Sequence, residues 1–148
     1  VVALHQHLKQ INPEIRVTER FGEFTQFIKP LGEGDIVILG FDSMDSRLEA
    51  AEAALKRANN PYLLIDGRMG AEEYHQYTLK RPTLKQYRDT WYSDADAEDE
   101  PCNAKATSYC SNMSGAFIAN AVKKTLNNEP CPKQFFFTFP GLVLGKTE

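Results

Sequence analysis

Asp35-Ile36-Val37-Ile38-Leu39-Gly40-Phe41-Asp42-Ser43-Met44-Asp45-Ser46-Arg47-Leu48, an alanine-rich run, and then Pro61-Tyr62-Leu63-Leu64-Ile65-Asp66 decide the reading of this chain. Ile36 to Leu39 is a short unbroken apolar run rich in β-branched residues. It is too short for a helix and suits a strand covered on both faces, so it predicts a central parallel strand. Met44, Leu48, Ala51, Leu55 and Ala58 then fall at helical spacing, with Asp42 and Ser43 placed to cap the helix and Asn59-Asn60-Pro61 placed to stop it. Tyr62 to Ile65 is a second apolar run ending in Asp66-Gly67. The segment therefore predicts one strand-helix-strand unit with a right-handed crossover. Ligands of open α/β sheets bind beyond the carboxyl ends of the strands, so Asp42 and Asp66 are expected to face one crevice.

Upstream, Val1, Leu4, Leu8 and Ile11 share one helical face, and Asn12-Pro13 ends that helix because the residue before proline is pushed out of the helical region. Ile15 to Thr18 reads as a short strand, and Phe21, Phe24, Phe27 and Ile28 as a short helix leading to Pro30. The turn Gly32-Glu33-Gly34 feeds the central strand. Downstream of Gly70 the pattern changes. Glu73 to Leu79 is β-prone but mixed in polarity, as in an antiparallel or edge strand, and a short helix follows Pro82. Small residues from Asn103 to Asn127 predict one or two close-packed helices, and Gln134 to Phe139 with Leu142 to Leu144 predict a final hairpin.

Composition narrows the class. The 148 residues suit a single domain, 1–148, with its own core, and a net charge of -3 leaves no basic footprint for nucleic acid. Cys102, Cys110 and Cys131 form an odd set without a Cys-x-x-Cys pair, which argues against a disulfide framework and a four-cysteine zinc site and predicts a reducing, cytoplasmic setting. No apolar run has the length of a membrane span, so no membrane partner is expected. The chain opens on Val1-Val2-Ala3-Leu4 without an initiator methionine, inside what reads as a helix, and so reads as part of something longer.

The candidate site residues each carry two readings. Asp42, at a strand end, can hold magnesium or a nucleotide, or can simply cap the helix. Arg47 lies near a helix start where the dipole disfavours cations, which points to a nearby anion; the alternative is a surface arginine. Cys102, after Pro101 and before a helix, has the setting of a thiol activated as a nucleophile, or is a small buried residue like Cys110. The acidic run from Asp94 to Glu100 reads as a solvated loop, with a divalent-metal loop as its alternative.

The order strand, Phe41-Asp42-Ser43-Met44-Asp45-Ser46-Arg47, helix, Asn60-Pro61-Tyr62 into a strand, then Pro101-Cys102 and a small-residue helix through Gly115 to Lys123 resembles the carboxyl-terminal part of the ThiF/MoeB/ubiquitin-activating-enzyme superfamily. The pattern covers roughly Val1 to Leu126. Such a resemblance implies use of magnesium and ATP to adenylate the C-terminal carboxylate of a ubiquitin-like or sulfur-carrier protein. It implies Asp42 beside the ATP phosphates and magnesium, Arg47 as the arginine that follows, Cys102 as the acyl-accepting cysteine, and a homodimer. The family's glycine-rich nucleotide loop has no counterpart, since Gly32-Glu33-Gly34 precedes a strand, and the cysteine pairs that hold zinc in many relatives are missing, so no structural zinc is expected. The expectation is an α/β, Rossmann-like, mainly parallel sheet with helices on both faces and a C-terminal antiparallel hairpin region. It would form the carboxyl-terminal portion of a larger adenylation domain, inactive alone. A non-catalytic scaffold or dimerisation partner is the rival reading, and another dinucleotide-binding enzyme a third.

Overall fold

The computed structural model describes residues 2–24, 31–55, 61–96 and 107–147. Helix α1 spans Val2–Ile11, and the backbone N–H of Asn12 closes its last turn onto Leu8 O at 2.9 Å. No α1 residue is buried. Ile15 to Thr18 forms no strand, and the helix expected around Phe27 lies largely outside the described residues.

Strand β1, Ile36–Leu39, leads through Gly40–Ser43 into helix α2, Met44–Leu55, and strand β2, Leu63–Met69, returns parallel to β1 with Leu39 opposite Asp66. This is the strand-helix-strand unit that periodicity predicts. The rest of the sheet corrects the expectation of a mainly parallel sheet. Strand β3, Glu73–Lys80, pairs antiparallel with β2, strand β4, Gln134–Thr138, antiparallel with β3, and strand β5, Val143–Thr147, antiparallel with β4. The order is β1-β2-β3-β4-β5, with one parallel pair. Connection length explains the switch. Only three residues join β2 to β3, whereas a parallel return needs a crossover of about a dozen or more.

Two positions within the sheet are also corrected. β1 is an edge strand of the described sheet, and Ile38 is 50% exposed on it; β3, read as an antiparallel or edge strand, is antiparallel to both neighbours and lies in the middle. The mixed polarity of β3 has another source. Tyr74, Gln76 and Thr78 are buried on one face, where the polar groups satisfy one another.

Helices cover both faces. On one, α2 and the short helix α3, Leu84–Arg88, enclose Val37, Leu39, Leu64 and Tyr87. Thr83 starts α3 with a capping box, its Oγ1 accepting from Gln86 N at 3.2 Å while Gln86 Oε1 accepts from Thr83 N at 3.0 Å. On the other face a single helix α4, Ser108–Leu126, packs Ala121 and Ile118 against Leu63 and Ile65.

Candidate functional site

The carboxyl end of β1 and the middle of β2 are tied together by one side chain. Arg47 lies in the first turns of α2 and is 7% exposed. Its guanidinium donates to Leu39 O at 3.4 Å, to Gly67 O at 3.0 Å, to Phe41 O and to Asp66 Oδ1. The planar fork suits this task, because several donors reach acceptors on both strands from one rigid group. Arg47 is thus not a surface arginine. It braces the loop that carries Phe41 and Asp42.

Asp66 is fully buried, so the crevice expected to expose it is closed. Besides Arg47, it accepts from Arg68 Nε at 2.8 Å and from the Tyr87 hydroxyl at 3.1 Å. Arg68 continues outward, donating to Thr90 O at 2.7 Å and Thr90 Oγ1 at 3.2 Å, and its guanidinium lies 4.2 Å from the Tyr77 ring centroid and 5.4 Å from that of Tyr92. A buried carboxylate is tolerable only with this density of partners. Burial, reinforced by the Asp66 charge, pushes the Tyr87 hydroxyl well above its ordinary proton affinity, so Tyr87 remains a donor.

Asp42 stands apart. It is exposed at the end of β1 and makes no hydrogen bond or ion pair with the described residues. The cap belongs to other groups. Ser43 Oγ accepts from Ser46 N at 3.1 Å, and the carboxylate of Asp94, fifty residues on, accepts from Met44 N at 2.7 Å and Asp45 N at 3.3 Å. Trp91 closes the same corner, its indole donating to Met44 O at 2.7 Å. The positive end of the α2 dipole is therefore already matched by a carboxylate of the chain itself. One acid of the acidic run has a defined role, and the run from residue 97 onward lies outside the described residues.

Cys102 also lies outside the described residues. Cys110 is buried in α4, its Sγ donating to Glu73 O at 3.5 Å, and Cys131 is half-buried with burial pushing its thiol up. Among the described residues no three His, Cys, Asp or Glu side chains gather as a metal-binding group. No described helix is long and apolar enough to cross a membrane.

The structure therefore ties Arg47 to the carbonyl of Phe41, the residue before Asp42, without a hydrogen bond or ion pair to Asp42 itself. The parts missed by sequence reasoning are Arg68, Tyr87, Trp91 and Asp94. Arg68 had a signal, since an arginine two residues after a strand aspartate shares its face and can pair with it. Comparison with known proteins returns neither a matching family model nor a matching curated protein.

Proposed function

We propose that the chain works as part of a ThiF/MoeB-like activating enzyme that adenylates the C-terminal carboxylate of a ubiquitin-like or sulfur-carrier protein. The observation that carries this reading is Asp42, an exposed carboxylate just past a strand end, without a partner among the described residues, on a loop held by Arg47, which pairs with Asp66. Its chemistry fits magnesium, which is bound through one or two carboxylates together with substrate phosphates. When bound, that ion supplies charge neutralisation at the phosphates. In the reaction a carboxylate oxygen of the carrier attacks the α-phosphorus of ATP, and the bond to the departing pyrophosphate breaks. Asp42 holds its charge at that centre, and Arg47 keeps the loop from shifting; a small displacement of a positioned group is enough to lose rate. Cys102 would accept the acyl group afterward, and a homodimer is part of the same proposal.

A scaffold or dimerisation role is the second reading. It is favoured by one specific observation: Asp94 already accepts from the first N–H groups of α2, at Met44 and Asp45.

The test is carrier-dependent exchange of pyrophosphate into ATP, run on the longest native form of the protein with magnesium and carrier. Asp42→Ala is expected to reduce exchange by roughly 10²-fold, the scale of removing one preorganised charge-stabilising group. Absence of exchange, or exchange indifferent to Asp42→Ala, overturns the enzyme reading and leaves the scaffold.

A further inference from the structure

The face of the sheet opposite Asp66 carries a pocket of about 630 Å³ that the adenylation reading does not use. α4 packs on β2 and β3 and touches β4 through Phe117, and beside that contact a pocket opens between the helix, the segment from Pro130 to Lys133, and β4–β5. Phe117, Ala121 and Lys124 recur at helical spacing along one wall. Phe135 and Lys146 are direct cross-strand partners on the other, with Leu144 two residues before Lys146 on the same side.

The walls are mainly apolar, and the charged residues that line the pocket are Lys124, Lys133 and Lys146. Among the described residues no acid lines it. Glu129, one residue before Pro130 of the lining, pairs with Lys123 at 3.0 Å, while Lys124, Lys133 and Lys146 form no ion pair with the described residues. Three cations gathered at one mouth run against the -3 charge of the whole chain. Lysine stems extend apolar walls while their ammonium groups stay in water at the rim. The volume falls within the range of small-molecule sites, which pair an apolar body with a few placed polar groups.

We propose that this pocket binds a small amphipathic carboxylate, a medium-chain acyl group whose apolar tail lies against Phe117, Pro130 and Leu144 while its anionic head meets the lysines. Binding is reversible and leaves no covalent bond. Cys131, the nucleophile type in the lining, is held in its neutral thiol form by burial.

Calorimetric titration of the full chain with decanoate, decanol and decyltrimethylammonium, each below its micelle concentration, tests this. Decanoate should bind with 1:1 stoichiometry, at least about tenfold tighter than either of the others, because a charge-assisted contact is worth about that factor. Lys124→Glu combined with Lys146→Glu should reduce decanoate affinity by about tenfold or more and leave decanol unchanged. Those lysines make no structural ion pair, so the double variant is expected to fold, checked by circular dichroism. Equal affinity for decanoate and decanol, or decanoate affinity indifferent to the double charge reversal, or no binding, would overturn the proposal.

Discussion

The two faces of the sheet bury polar groups by different means. Beneath α2 and α3, Asp66 and two guanidiniums form a charged cluster in which each carboxylate oxygen has a partner. Beneath α4, the Tyr74 hydroxyl donates to Gln76 Oε1 at 2.7 Å and Gln76 Nε2 donates to Thr78 Oγ1 at 3.0 Å, a neutral chain beside an aromatic cluster in which Tyr74 stacks on Phe117 at 5.7 Å and Phe117 meets Phe135 edge-on at 4.9 Å. Charge is costly to bury and therefore demands a single arrangement; a neutral chain is cheaper and leaves shape to the aromatic rings. The stricter arrangement sits under the Asp42 loop. The looser face is the one with room for a pocket.

The comparison breaks most directly at Asp66. Asp66→Ala leaves two buried guanidiniums without their shared carboxylate and is expected to cost about 3–5 kcal/mol, read as a lower denaturation midpoint in urea. A loss below about 1 kcal/mol would mean that the charged face is no more demanding than the neutral one.

Gly67 probes the neutral face. A Cβ there would stand 2.7 Å from the Tyr74 hydroxyl oxygen and 3.2 Å from its Cε2, so Gly67→Ala overpacks a buried ring and should cost about 1–3 kcal/mol. Adding Tyr74→Phe removes the closest atom. The double variant should recover part of that loss, although Gln76 then lacks its donor, and strictly additive losses would show that the contact is not the cause.

The smallest effect concerns pH. Burial lowers the proton affinity of half-buried His75 from its ordinary 6.5, with Glu73 opposing the shift and Arg68 adding to it. Just below pH 6.5 the unfolded chain therefore binds more protons than the folded one, so stability falls as pH drops through 6.5 and levels off below the folded value. His75→Gln should flatten part of the difference between unfolding at about pH 7.5 and about pH 5.5. On the neutral face, Tyr74 shifts the other way, its hydroxyl raised chiefly by burial and then by Asp66, so its contribution holds until pH rises past 10.0.

Much of this arrangement is visible in the order of residues. The β1-α2-β2 unit is legible because its signals are local: an apolar run, helical spacing, then a proline before the next run. The final hairpin is legible for the same reason, since Pro140-Gly141 interrupts two β-prone segments. Strand direction was legible only in part: mixed polarity marked β3 as antiparallel or edge, and it is antiparallel, while nothing marked how few strands are parallel. The apolar pattern of a strand reads alike whether its neighbour runs parallel or antiparallel, and Ile36 to Leu39, apolar throughout, reads as central although β1 lies at an edge.

The candidate site divides in the same way. Position alone places Asp42 at a strand end, because that depends only on where the apolar run stops. Burial of Asp66 depends on groups two to twenty-one residues away that meet only in the fold. Capping of α2 by Asp94 spans fifty residues, and so competes unseen with the nearer Asp42 and Ser43. By itself, the sequence determined which segments become strands and helices, since backbone preference and hydrophobic period act within a few residues. Only the tertiary structure decided which charges are spent holding the fold and which remain free, since pairing in a low-dielectric interior is set by distance in space and not along the chain.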